Sequence, residues 1–492
     1  MYRIVQKIMI LFFIYFFIYT STTENVSKRS CNIISGSSTL QCFGMYSEDF
    51  SKITFNEILE NLECVRCNLG NIPPETFDFE DNHLFTLSLK NNNITGLVPF
   101  TFVGLDYLRK LDLSNNSIQI IIPGTFKGIK NVVIFNLKRN KIRRIEKNSF
   151  SELENLVHLD LSDNLIIDIY PGAFNNLNKL RLLELENNKL KILQDGFQFP
   201  SNIEELYLGN NVLNKLQNKF KINNLLKLYL SNNDISVIPK NYFSSVINLK
   251  EIYLNDNKII ELESNAFNDL KNLEILNLNN NTLKAIPFDL FSELLRLKYL
   301  DLSKNSLKII SLYTPLPELI TVNFSHNYIN KILIPTGNVA KLFNLNYLDL
   351  SHNNLSYLDY VELYQNAPKL ILLNVNHNNL PCNTEKEMIS YFPLDNFSLN
   401  IDNNASILCN VTKNSNIMNN LVEIEELITN HNGHNHVPFL YGLLIFVSVF
   451  ILVIGLILYK TYVYVKRCKE RNLNDLTQLN ETVTHHTAYE SL

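Results

Sequence analysis

The segment Leu156–Phe174, LVHLDLSDNLIIDIYPGAF, carries the pattern that decides the fold. Leucines stand at its first, fourth and sixth positions (Leu156, Leu159, Leu161), an asparagine at its ninth (Asn164), then Ile166, Ile169 and Phe174. The unit before it repeats the spacing at Val132, Phe135, Leu137, Asn140, Ile142, Ile145 and Phe150, and the one before that at Leu108, Leu111, Leu113, Asn116, Ile118, Ile121 and Phe126. Worked outward, thirteen units begin at Leu84, Leu108, Val132, Leu156, Leu180, Ile203, Leu225, Leu249, Leu273, Leu297, Leu319, Leu345 and Leu370. A fixed period of about 24 residues signals stacked supersecondary units, none of which can bury its apolar face alone.

The residue types follow from that stacking. Each unit is expected to supply a short parallel strand whose first, fourth and sixth side chains point into a shared core. Asparagine at position nine turns the chain off the strand, and its amide satisfies backbone groups buried inside the turn. Phenylalanine at position nineteen, as in Phe102, Phe126, Phe150, Phe174, Phe243, Phe267 and Phe291, should stack as a second core on the convex side. The units starting at Leu297 and Leu319 lack that phenylalanine and carry Pro315, Pro317 and Pro335 nearby, so the rhythm breaks there.

These units resemble the extracellular class of leucine-rich repeats over residues 59 to 382, flanked by cysteine clusters similar to that family's caps. The resemblance implies an α/β solenoid: a horseshoe with a parallel concave sheet, disulfide caps and a broad concave face for protein ligands, plus one transmembrane helix. A half-repeat, Leu59 to Phe77, places Cys64 at a strand leucine and Cys67 where asparagine is expected. The family's C-terminal cap usually has four cysteines; here only Cys382 and Cys409 remain, so an abbreviated cap is expected over 382–420.

Two apolar segments bear on compartment. Ile8 to Tyr19, behind Arg3 and Lys7, suits a signal peptide over residues 1–23, because a dozen residues cannot cross a hydrocarbon core of about 30 Å. Val437 to Tyr459 carries no charge and is long enough to span. Lys460, Lys466, Arg467, Lys469 and Arg471 follow it, which places the C-terminus in the cytosol and makes the chain a type I, single-pass plasma-membrane protein. The N-terminal cap and half-repeat then occupy 24–83, the repeats 84–381, a juxtamembrane linker 421–436 and a cytoplasmic tail 460–492.

Cysteine usage agrees with this topology. Cys31, Cys42, Cys64, Cys67, Cys382 and Cys409 precede the span and read as structural disulfides, with three connectivities open for the first four. Cys468, beside the membrane among basic residues, is a lipidation candidate. Glycosylation sequons occur at Asn25, Asn93, Asn115, Asn280, Asn323, Asn354, Asn396, Asn404 and Asn410. None falls between Asn116 and Asn279, which leaves the central repeats open to a partner.

A formal net charge of −4, from 44 Lys+Arg against 48 Asp+Glu, offers no basic excess for nucleic acid. No H-E-x-x-H, phosphate-loop or kinase signature is present, and no cofactor or metal is implied. Asp349, Ser351 and His352 cluster, yet they match the repeat consensus, and neighbouring strand side chains point to opposite faces. His431, His434 and His436 read as a polar linker.

Function is therefore expected on a surface. Position five, between the inward leucines, should point out of the concave sheet; it reads Asp160, Glu184, Tyr207, Tyr229 and Tyr253 over consecutive units. Three tyrosines beside an acidic pair, in the sequon-free stretch, are the expected ligand-binding residues. The tail is too short for a folded domain, but Tyr489–Leu492 matches a sorting signal for a cytosolic trafficking adaptor. The reading is a receptor or adhesion protein for an extracellular or cell-surface protein ligand; an auxiliary subunit of a channel or another receptor, or a shed matrix-organising protein, are the alternatives.

Overall fold

In the strand of each unit the middle residue faces inward and is lost to solvent: Leu111, Phe135, Leu159, Leu183, Leu206, Leu228 and Ile252 are all fully buried. The strands are three residues long, such as Lys110–Asp112, His158–Asp160 and Glu251–Tyr253, because the turn at position nine ends each one. Consecutive strands pair in parallel and in register, fourth position beside fourth position, from Asn61–Val65 through to Ser398–Asn400. In this computed structural model residues 29–400 are described, apart from 54–58, 79–81, 194–195, 217–220, 313, 335–341, 382–383 and 393–397. The signal peptide, Asn25, Cys382, Asn396, Asn404, Cys409, Asn410, the apolar segment 437–459, Cys468 and the Tyr489–Leu492 motif lie outside the described residues. No helix among the described residues is long and apolar enough to cross a membrane.

The asparagine ladder is the polar half of the core. Asn188 Nδ2 donates to the carbonyls of Leu185 and Glu186 in its own turn and of Leu161 one unit back, while its Oδ1 accepts from the Ile166 amide. The same set recurs at Asn116, Asn140, Asn164, Asn211, Asn233, Asn257, Asn281, Asn305 and Asn327, each less than a tenth exposed. One side chain thus provides partners for several buried backbone groups and ties neighbouring units together.

Position eight carries a second set of asparagines. It adopts a left-handed backbone at Asn115, Asn187, Asn210, Asn232 and Asn280, with φ of 52 to 56°. Asparagine tolerates that region better than most side chains. Arg139, Lys304, His326, His352 and His377 occupy it elsewhere.

On the opposite side the phenylalanines stack as expected. Ring centroids lie 5.7 to 6.1 Å apart along Phe102, Phe126, Phe150 and Phe174, and 5.7 Å apart for Phe243 and Phe267. Phe77 and Phe50 extend the column into the cap. Phe291 differs: it is only partly buried.

The cap pairs its cysteines locally. Cys31 bonds to Cys42 across an antiparallel hairpin, Ser30–Ile33 with Thr39–Phe43, and Cys64 bonds to Cys67. Cys67 indeed stands in the asparagine position, for its amide donates to Asn92 Oδ1 while Asn92 Nδ2 donates to the Cys64 carbonyl. The cap is thereby joined to the first full unit.

Candidate functional site

Position five carries two kinds of side chain. Where it is Asp or Asn, the side chain turns back and accepts the amide of position seven: Asp112 from Ser114, Asn136 from Lys138, Asp160 from Ser162, Asn277 from Asn279, Asp301 from Ser303, and Asp349 from Ser351. These residues are turn caps. This corrects the expectation for Asp160, which is 7% exposed, and its carboxylate also takes the Ser162 hydroxyl at 2.6 Å. Burial pushes its pKa up. The Asp160 carboxylate is therefore directed into its own turn.

Four consecutive units abandon that cap. Glu184, Tyr207, Tyr229 and Tyr253 are too long to fold back onto position seven, and they lie side by side on adjacent strands. The Tyr207 and Tyr229 rings stack at 4.2 Å and 7°, those of Tyr229 and Tyr253 at 4.7 Å and 3°. All three are half-buried rather than freely exposed, because each ring covers its neighbour. The stack presents ring edges and hydroxyls along its outer side.

Position three shares this face, since residues two apart on a strand point the same way. It supplies Glu205, Lys227 and Glu251, which the position-five reading alone leaves out; the same period-two alternation identifies them. The Tyr207 hydroxyl donates to Glu205 Oε2 at 2.9 Å and the Tyr253 hydroxyl to Glu251 Oε2 at 3.1 Å. Lys227 Nζ sits between the two carboxylates, 3.4 Å from Glu205 and 3.8 Å from Glu251. Glu251 and then Glu205 push the lysine's pKa up. Burial, with the hydroxyl's hydrogen bonds, raises the Tyr207 phenol well above its ordinary value, and burial with Glu251 raises that of Tyr253 to about 12. At neutral pH Tyr207 and Tyr253 are donors. On the N-terminal side Glu184 Oε1 lies 2.7 Å from His158 Nε2. The result is a preformed aromatic rib flanked by a Glu–Lys–Glu clasp.

The sequons surround this area. Asn93, Asn115, Asn280 and Asn354 are exposed, and Asn323 lies half-buried on the sheet face with its Oδ1 accepting the Ser325 amide. In the Asp349 cluster the Ser351 hydroxyl donates to Asp349 at 2.6 Å, while the His352 ring stacks between His326 and His377 at 4.0 and 4.1 Å. That geometry caps a turn and builds a column of rings.

The fold and this face define a solenoid of stacked parallel strands. The chain belongs to the leucine-rich-repeat family: models described as leucine rich repeat match residues 58–118, 106–166, 159–213, 223–283, 271–329 and 344–365, more than half of the 492 residues. Among solved structures it is similar to the Toll–Spatzle complex of Drosophila, at 23% identity and a TM-score of 0.58, over 70% of this chain and 50% of that one. The chain thus spans half the length of that relative. It is also similar to a leucine-rich-repeat protein of Leptospira interrogans, at 25% identity and a TM-score of 0.50, covering 71% of this chain and 94% of that one. No curated protein matches the chain.

Proposed function

We propose that this chain is a cell-surface receptor or adhesion protein whose sheet face, centred on Tyr207, Tyr229 and Tyr253, binds a protein ligand. The observation that carries this reading is the loss of the turn cap in four consecutive units, replaced by a half-buried tyrosine stack in a stretch without glycosylation sequons. Aromatic groups with polar tips are enriched at binding hot spots. The same fold in Toll was solved with a protein, Spatzle, bound, which favours a protein ligand over a small one.

The remaining parts of the proposal follow the sequence. Residues 437–459 anchor the chain as a type I, single-pass protein of the plasma membrane, with the repeats outside and glycosylated. The tail offers Tyr489 and Leu492 to a trafficking adaptor and Cys468 to an acyl chain. The test displays the full-length chain on cells and captures surface and secreted proteins by proximity labelling, for the parent and for Tyr229→Ala. A protein ligand captured by the parent and lost with Tyr229→Ala supports the proposal. Capture equal in both, or dependent only on residues outside the central units, overturns it.

A further inference from the structure

The phenylalanine column stops at Phe291, and a void opens where it stops. The next unit has Pro315 in the nineteenth position, and a cavity of 230 Å³ lies beside Phe291. Its inner wall is the underside of the sheet, Leu300 and Val322; its outer wall includes Ile310 and Leu316. Ile309 and Phe288, at its rim, are 51% and 70% exposed. Among the described residues Ser311 and Thr314 are the polar members of the lining, and none of the described lining side chains is ionisable.

Protein interiors are packed as closely as organic crystals, and voids larger than a water molecule are few. An apolar cavity of about 150 Å³ stays dry and takes up benzene. This one is larger. Phe291 is partly buried, whereas Phe267 and Phe243, one and two units back, are covered by each other's rings. A ring entering the cavity meets the phenylalanine that ends the column, two further phenylalanines, Phe288 and Phe324, aliphatic side chains such as Leu300, Ile310 and Val322, and the two hydroxyl residues.

We propose that this cavity is a binding site for a small, uncharged aromatic molecule of one or two rings, seated against Phe291 between the units that start at Leu273, Leu297 and Leu319. The site faces away from the tyrosine rib and is independent of the ligand proposed there. The class is uncharged because the described lining residues offer a charge no counter-ion, and desolvating a charge costs far more than an apolar cavity returns.

The test uses the full-length chain and a phenyl-diazirine photoprobe, with labelled residues mapped by peptide sequencing and unlabelled indole as competitor. Labelling should concentrate at Ile310, Leu312 and Leu316 and be competed by indole. Ala285→Phe, which places a ring in the cavity from an exposed position at its edge, should weaken probe binding by about tenfold or more. It should not lower the melting temperature, because it fills a void. Labelling spread evenly over the surface, or unchanged in Ala285→Phe, overturns the site; stronger competition by a straight-chain alcohol than by indole overturns the aromatic class. Should Ala285→Phe fail to fold, the parent's labelling map and its competition by indole decide the question alone.

Discussion

The Tyr229 ring lies parallel to two neighbours at once, 4.2 Å from Tyr207 and 4.7 Å from Tyr253. It is the middle layer of a three-ring stack built by residues 22 and 24 positions away. Side chains at one register position of adjacent parallel strands interact directly. These outward tyrosines therefore contribute to stability as well as forming a surface.

Tyr229→Ala removes both contacts, while Tyr207→Ala and Tyr253→Ala remove one each. With about 0.5–1.5 kcal/mol per aromatic pair, the middle substitution should destabilise by about 1–3 kcal/mol and the flanking ones by about half of that. Urea unfolding of the three variants checks the order. Equal costs would mean that the rings do not act as a stack.

The phenols also set an alkaline limit. Tyr253 is raised from 10.0 to about 12 by burial and Glu251. A folded pKa above the unfolded one means the folded state holds its proton more tightly. Its contribution is fully present below pH 10 and lost as pH rises through the window from 10 toward 12. Tyr253→Phe should flatten this part of the stability profile and remove one late-titrating phenol from the near-ultraviolet absorbance. A parent and variant with identical alkaline profiles would refute the shift.

Asn188→Ala tests the polar core. It deletes an amide that serves Leu161, Leu185 and Glu186 carbonyls and the Ile166 amide, all buried in the turn. Leaving buried groups unpaired costs about 1–3 kcal/mol each, so the loss should reach about 3 kcal/mol or more. Its neighbour Asn187, exposed and left-handed with φ of 56°, should accept glycine with a change of only a few tenths. A chemical-denaturation series comparing the two positions separates a structural asparagine from a conformational one.

The two cap disulfides should differ in value. Cys31 and Cys42 are 11 residues apart, Cys64 and Cys67 only 3. The loop-entropy relation gives about 3 kcal/mol for the longer loop and about 2 for the shorter. Cys31→Ser with Cys42→Ser should therefore lower the midpoint of unfolding more than the double serine variant of Cys64 and Cys67. The reverse order would show that packing of the buried Cys64 and Cys67 outweighs loop closure.

The repeat period, the inward leucines, the position-nine asparagines and the phenylalanine column were all legible in the chain, because each depends on spacing within one unit. Spacing also identified Tyr207, Tyr229 and Tyr253 as one column. What it left open was which neighbour each side chain meets, one in its own strand and turn or one in the next unit about 24 residues along the chain. Asp160 and Tyr207 occupy the same register position, yet one carboxylate bends into its own turn to meet Ser162 while the phenol reaches Glu205. Side-chain length decides this: aspartate reaches position seven, whereas tyrosine overshoots it and finds stacking partners on the adjacent strands. The cysteine pairing was open for the same reason, until the hairpin brought Cys31 opposite Cys42. Sequence by itself determined which residues line each face; only tertiary structure decided where their polar ends go, because the choice between a partner two residues away, as Ser162 and Glu205 are, and a ring on the adjacent strand depends on how the stacked units hold each side chain.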